Sequence, residues 1–429
     1  MVPSTRPRIA VVTCLVLLLA MAAPGAAGPQ LAADSPATGA ATGHTVQPQP
    51  AGDLALPERV VLPGQTSHGS VVIGAEAAAA LDGSGANLEG AYQRHLLRER
   101  FESADGTAAK RSVLQEAVDD LETDVEGLRS EERSARIAYR NGELSERGFL
   151  IELVSIHKRA QELEQTADLI APTAADGLAD DVSATGVAAQ IRALQGSLIA
   201  RQGPVRSYLG DVVVGDSPPQ RVYVSVSRNG TVLSMIEDGT YHREANRDDL
   251  LVDGPEQGIT YSEAFDLTQN ELYSQYASNY DFTTVGRGSD GVIGQFYLVL
   301  GEGEASYEHG TLRSYIDAVS QNVFWEYQRM ELDGDLPIEE PSETTAGNLT
   351  LAVQPTYPSG PAKVTVTEDG EPVSNVSVAV GGTPVSRTGT NGTAWVVLPY
   401  ESPVVSVASD DAAVSTSIEW STQYQAESN

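Results

Sequence analysis

Cysteine is nearly absent from this 429-residue chain: the only one is Cys14. Lysine is scarce too, with only Lys110, Lys158 and Lys363 among 27 basic residues. Cys14 lies inside an N-terminal apolar run, so a processed chain carries no thiol and no disulfide. No lipobox-like triplet precedes it, and no lipid anchor is expected. Beyond residue 27 no apolar stretch approaches the roughly 18 residues that a membrane span needs. There is no His-Glu-x-x-His, no Gly-x-Ser-x-Gly, no Gly-Lys-Ser/Thr phosphate loop and no calcium loop of the usual spacing. The six histidines, at 44, 68, 95, 157, 242 and 309, never fall within ten residues of one another. A transition-metal site would have to be assembled entirely by the fold, so no catalytic, metal or cofactor residue is assigned.

What is abundant is negative charge. Asp and Glu number 59 against 27 Lys and Arg, a formal net charge of −32. A nucleic-acid partner or an anionic membrane surface is disfavoured. The acids are spread through every folded-looking segment. With arginine replacing lysine almost throughout, the composition resembles that of proteins from extreme halophiles. A dense carboxylate surface stays hydrated, and molar salt screens its self-repulsion within a few Å. A surface for divalent cations or a cationic partner is the alternative, although no compact carboxylate cluster places it.

Arg6 and Arg8 precede the apolar run Ile9 to Ala23, which leads into Ala-Ala-Pro-Gly-Ala-Ala-Gly. That is a secretory-signal arrangement with cleavage expected near Ala27, so residues 1–27 read as a signal peptide. The mature protein is expected to be soluble outside the cell or held there by other proteins, with no stable membrane insertion. Four Asn-x-Ser/Thr triplets follow, at Asn229, Asn348, Asn375 and Asn391, and they mark surface loops.

The length suits about three domains. Residues 28–86 are rich in Ala, Gly, Pro, Thr and Ser and read as a flexible lead, with weak strands at Arg59–Leu62 and Ser70–Ile73. From 88 to 171 the period becomes helical. Leu114, Val118, Leu121, Val125, Leu128 and Ala135 form one seam; Phe149, Leu153, Ile156, Ala160, Leu163, Ala167 and Ile170 form a second. Arg140 to Ser145 supplies the turn, with Ser145 as cap, and His157 is expected on the flank of the second seam. Two seams joined by a short connection predict an antiparallel, coiled-coil-like hairpin that buries itself, and a helix at 88–103 would add a third layer.

After a break at 171–187 and a short helix at 188–200, tyrosine concentrates: 11 of 16 lie between Tyr208 and Tyr327. The block 188–335 predicts an α+β domain, with two related halves as an option. It holds a hairpin around Arg228-Asn229-Gly230, a strand at Thr240–Ala245 and a helix at Tyr261–Tyr276. Strands follow at Val292–Leu300, Gly310–Ala318 and Val323–Met330. Asp248, Asp249 and Asp253 are the best candidates for a carboxylate pair or weak cation site, in what reads first as a solvated loop. Gly286 to Gly291 reads as a tight connection rather than an anion loop, and His242 and His309 as ordinary surface residues.

The order helix, strand, then Ser314-Tyr-Ile-Asp-Ala-Val-Ser-Gln-Asn-Val resembles the end of a PepSY-type domain over about 258–332. Asp317 and Ala318 stand at that family's Asp-Ala pair, and Ser320-Gln321-Asn322 departs from its Thr-Gly turn. The resemblance implies a secreted module that modulates a partner and has no catalytic set of its own. After a linker at 336–347, short alternating strands with Gly turns at Asp369-Gly370, Gly381-Gly382 and Asn391-Gly392 predict a small all-β sandwich over 348–420. Residues 361–416 resemble the carboxypeptidase-regulatory-like, or prealbumin-like, surface domains, in which Trp395 would fill a core position.

The leading expectation is a non-catalytic exported surface protein that binds or modulates a protein partner through the α+β domain. Second is a structural envelope spacer that self-associates through the helical arm. Third is a secreted hydrolase built on paired carboxylates.

Overall fold

The computed structural model describes residues 60–177, 183–252, 261–267, 280–286, 296–303, 310–333, 336, 338, 340–399, 403–408 and 412–419. The expected signal peptide, the lead up to residue 59, Asp253, residues 287–291 and His309 lie outside them.

Five helices come first: α1 (Ala77–Ser103), α2 (Gly106–Arg140), α3 (Glu146–Gly177), α4 (Ser183–Ile199) and α5 (Pro204–Val214). The α2 and α3 seams face one another as their spacing requires, with Leu114, Val118, Leu128, Phe149, Leu153 and Ala160 fully buried. The Ser145 hydroxyl accepts the Gly148 N–H at 3.2 Å and starts α3. Leu97 of α1 and Val187, Ile191 and Leu198 of α4 join the same core, so the hairpin is flanked on two sides. The expected break at 171 does not occur there: α3 continues through Pro172 to Gly177. Ala167, Ile170 and Ala174 stay fully buried in register across the proline, and tertiary packing overrides its helix-breaking tendency.

One eight-stranded antiparallel sheet follows. Its strands are β1 (Ser67–Ile73), β2 (Gln220–Val226), β3 (Gly230–Glu237), β4 (Thr240–Arg247), β5 (Tyr280–Gly286), β6 (Phe296–Gly303), β7 (Gly310–Asp317) and β8 (Val323–Glu331). A 3-10 turn (Asp248–Leu250) follows β4, and α6 (Tyr261–Leu267) precedes β5. The spatial order is β1-β2-β3-β4-β8-β7-β6-β5. Two four-stranded meanders therefore meet at their last strands, with β4 antiparallel to β8 from Thr240↔Glu331 to Asn246↔Trp325.

Period two divides the sheet. Val222, Val224, Val226, Leu233 and Met235 pack on Val205, Leu209, Val212 and Val213 of α5 and on Phe149 of α3. Tyr223, Ile236, Tyr241 and Met330 belong to a separate cluster with the last domain. Two elements fall inside the stretch expected to be a flexible lead. β1 pairs with β2 along its whole length, matching the Ser70–Ile73 expectation, and α1 starts at Ala77. Residues 60–62 are not a strand, but Val60 is fully buried and its carbonyl accepts from Arg243 at 2.7 Å.

The last domain is a sandwich of nine strands: β9 (Ser342–Ala346), β10 (Leu349–Pro355), β11 (Pro361–Glu368), β12 (Glu371–Pro372), β13 (Ser377–Val380), β14 (Thr383–Arg387), β15 (Thr393–Val397), β16 (Val404–Ala408) and β17 (Ala413–Ser417). One sheet runs β12-β11-β10-β9 with β15 also on β11; the other runs β14-β13-β16-β17. Leu349, Leu351, Val353, Val364 and Val366 alternate into the core. Asp369 and Gly370 both have positive φ, 50° and 85°, as a two-residue hairpin turn demands. β9 lies in the segment expected to be a linker, because its alternating side chains pair with β10. Trp395 is not in the sandwich core: it packs part-buried against the cluster shared with the eight-stranded sheet, on the other face of β15 from Ala394 and Val396. At that junction the Tyr357 hydroxyl donates to Gln328 Oε1 at 2.6 Å, and the Tyr241 hydroxyl donates to the Ser359 carbonyl at 3.2 Å.

Candidate functional site

Ionisable side chains converge at the boundary between helices and sheet, and they are buried. Glu132 occupies the seam slot of α2 between Leu128 and Ala135, where its spacing calls for an apolar residue. It accepts from Arg206 Nη2 at 2.8 Å and lies 3.5 Å from both Arg136 Nη1 and Arg201 Nε. Arg136 and Arg201 both hold Asp248, the latter at 2.9 Å. Arg206 Nε is 3.0 Å from Glu244 Oε1, and the other Glu244 oxygen accepts the N–H groups of Val205 and Arg206 at the start of α5. Three arginines thus balance three carboxylates with almost no access to water, as buried charges require.

Each element contributes for a local reason. Pro204 and Gly203 start α5 so that its first N–H groups face Glu244, and a Cβ on Gly203 would overlap that carboxyl. The Arg201 side chain also donates to the Ser197 carbonyl at 2.7 Å, which closes the end of α4. On the opposite face of the sheet Arg243 pairs with Glu326 at 2.7 Å and ties down Val60.

Electrostatics show what this cluster can do. Burial alone would raise the Asp248 carboxyl, but Arg201 and Arg136 outweigh it and hold it well below the usual carboxylate range. Burial raises Glu244, while Arg206 and the two backbone N–H groups oppose the shift. Burial also raises the Arg206 guanidinium's need for partners, and Glu132 and Glu244 keep it charged. Each acid here is paired with at least one arginine.

Three expectations change. Asp248 is not in a solvated loop but sealed between Arg136 and Arg201, whereas Asp249 forms an outer pair with Arg247 at 2.6 Å. His157 is not on a flank: it is 2% exposed, and burial, with Arg206 and Lys158 nearby, lowers its pKa to about 3. His242, expected as an ordinary surface residue, is part-buried, with Nδ1 2.8 Å from the Tyr327 hydroxyl and Nε2 4.0 Å from Glu237. Burial lowers this imidazole and raises the Tyr327 phenol to about 12, which makes the former a weaker base and the latter a poor nucleophile at neutral pH. Asp317, from the Asp-Ala pair, accepts the N–H groups of Val319 and Ser320 at 2.9 and 2.6 Å and shapes the β7–β8 turn. Among the described residues no group of three or more His, Cys, Asp or Glu could hold a metal ion, and no helix is long and apolar enough to cross a membrane.

Among the described residues an accessible feature lies on the helical arm. A groove of about 850 Å³ opens between α1, α2 and α3, floored by Leu96, Leu97, Leu121 and Leu163. Beside it α1 exposes Leu81, Leu88 and Tyr92, at 72%, 74% and 57%. Glu89, Asp120 and Asp124 line the rim; burial raises Asp124 first, Asp120 and Glu89 raise it further, and Arg159 opposes them. The helical seams did not disclose this groove, because α1 shows little amphipathic spacing and its apolar residues split between core and surface.

Three regions match known family models: residues 6–217 a domain of unknown function (DUF7096), residues 222–335 a family of unknown function (DUF7094), and residues 340–416 the archaeal fibronectin-III type-like domain. No curated protein and no solved structure matches the chain. The architecture is that of a multidomain archaeal protein, with a helical region followed by a small fibronectin-III-like β-sandwich.

Proposed function

We propose that this chain is an exported, non-catalytic surface protein that binds a protein partner, and that the contact lies in the groove of the helical arm. The observation that carries the reading is the contrast between the two polar regions. At the sheet boundary the acids and arginines are paired and buried, while on the arm an apolar floor and the exposed Leu88 and Tyr92 stand beside Glu89, Asp120 and Asp124, and the two arginines of the groove, Arg100 and Arg159, are paired with Glu116 and Glu131. Such a groove suits an amphipathic helix with an apolar stripe and flanking Lys or Arg.

Export rests on the Arg6–Ala27 signal arrangement, and salt adaptation on the excess of acids over lysine. The PepSY-like reading of 258–332 has the support of α6 followed by four antiparallel strands whose last hairpin turns at Asp317. The prealbumin-like reading of 361–416 shares with the fibronectin-III-like match only a small sandwich.

Affinity capture from the cell envelope in molar salt tests the reading, comparing the unaltered full-length protein with a Leu88→Glu, Tyr92→Glu variant. Both side chains are exposed, so the variant should fold. The expected result is a partner with a basic amphipathic segment that the variant no longer retains. Equal capture by both would overturn the groove assignment, and recovery of this chain alone would favour the self-associating spacer.

A further inference from the structure

The sandwich has two ends with different company. β11 leaves the junction with the eight-stranded sheet at Pro361, beside Tyr357 and Leu398, whose N–H bonds the Gly360 carbonyl at 3.0 Å. It reaches the far end at Glu368, roughly 25 Å away for eight residues of strand. At that end Asp369 N–H bonds the Asn348 carbonyl at 2.9 Å, Val366 N–H bonds the Gly392 carbonyl at 2.8 Å, and Asn375 N–H bonds the Thr388 carbonyl at 2.7 Å. Val373 N–H returns to Val366 at 3.1 Å and completes the cluster. Three of the four Asn-x-Ser/Thr triplets, at Asn348, Asn375 and Asn391, therefore gather on the end turned away from the sheet, and all three asparagines are exposed.

The four differ in readiness. Asn229 is half-buried in the β2–β3 turn, where its carbonyl accepts the Asp248 N–H at 2.8 Å. Asn348 Nδ2 already donates to Glu368 Oε1 at 2.8 Å. Asn375 has φ 62° and turns its carbonyl and side-chain oxygens to Arg387, while Ser377 is held in β13. Asn391 is different: its Oδ1 accepts both the Thr393 N–H, at 3.1 Å, and the Thr393 hydroxyl, at 2.8 Å. Both bonds draw electron density away from the amide nitrogen and make its protons more acidic, and among the described residues no side chain engages Nδ2.

We propose that Asn391 is an N-glycosylation acceptor and that the far end of the sandwich is the glycan-bearing surface of this protein. The proposal rests on the export reading, since the sugar donor meets only translocated chains. In the transfer, Asn391 Nδ2 forms a bond to C1 of the first sugar of an oligosaccharide carried on a lipid phosphate. The bond between C1 and the phosphate oxygen breaks, the lipid phosphate leaves with the electron pair, and the amide proton passes to a base on the membrane transferase. Nothing is oxidised or reduced. Glycans placed here leave the junction with the sheet uncovered.

Peptide mass spectrometry on the full-length protein purified from its natural cells tests this, with the N-terminus sequenced on the same sample. The expected result is a processed N-terminus and an oligosaccharide mass on the Asn391 peptide. Asn391→Asp keeps the oxygen that accepts from Thr393 and should fold yet lose the mass completely; Thr393→Val should lose it while retaining Asn391. A processed, exported protein with unmodified Asn391 overturns the inference alone. A protein found inside the cell with residues 1–27 attached overturns the export reading and the inference with it.

Discussion

Arg243 and Glu244 are neighbours on β4 and project to opposite faces of the sheet, where Arg243 meets Glu326 at 2.7 Å and Glu244 meets Arg206 at 3.0 Å. One strand thus anchors the helical region on one side and the segment at Val60 on the other. Both ion pairs are buried.

Removing Glu132 should be costly. Glu132→Gln leaves Arg206, Arg201 and Arg136 with one carboxylate too few in a dry interior, and a loss of about 3–5 kcal/mol is expected. Glu131→Gln, which breaks only the outer pair with Arg159, should cost less than about 1 kcal/mol. Denaturant titration of the two variants gives the comparison.

Two glycines should respond in opposite directions to alanine. At Gly203 the new methyl must displace the pinned Glu244 carboxyl, and about 1–3 kcal/mol of stability should be lost. At Gly127, within α2, nothing lies within 4 Å of the new Cβ, and Gly127→Ala should gain about 0.5–1 kcal/mol from helix propensity. Thermal unfolding of both variants reads the signs directly.

His157 sets an acid limb. The unfolded chain takes up a proton near pH 6.5, whereas the folded chain refuses it until about pH 3. Between those values the unfolded state binds more protons, so stability is fully present above about pH 6.5 and falls with acidification by up to about 1.4 kcal/mol per pH unit. His157→Met should flatten that limb while other acid-sensitive groups still act. Urea midpoints across this range, for both proteins, measure the difference.

The bond between Tyr357 and Gln328 spans the junction of sandwich and sheet. Tyr357→Phe should cost about 1–2 kcal/mol, because Gln328 is left buried and unpaired. Hydrogen exchange should show the loss in β8 and β10 together, whereas an effect confined to the sandwich would mean that the two domains open independently.

Much of this architecture was legible in the residues. The α2 and α3 seams, the Ser145 cap, the Arg228-Asn229-Gly230 hairpin and the glycine turns of the sandwich all rest on local periodicity or turn chemistry, and local rules held. β1, expected only as a weak strand at Ser70–Ile73, and β9, inside the expected linker, are faint in the sequence because each is short and takes its meaning from a partner strand remote in sequence or in the next hairpin. The break expected at 171–187 starts later for a related reason: buried Ala167, Ile170 and Ala174 decide that turn, not its Ala/Asp/Thr/Gly composition. The charge network had one visible trace, a glutamate at a seam position with Arg136 one turn later. Its other members, Arg201, Arg206, Glu244 and Asp248, come together only when α4, α5 and β4 meet. The groove was illegible, since it exists between three helices and belongs to none.

Photo-crosslinking from position 88 of the exported, full-length protein in its own cells tests the partner-binding reading most directly, with position 404 on the sandwich as control. Leu88 and Val404 are both exposed, at 74% and 43%, so neither probe disturbs a core. The predicted result is one crosslinked protein of a different sequence at position 88, through a basic amphipathic segment, and none at 404. Crosslinks from position 88 only to other copies of this chain, or the same products from both positions, would contradict it.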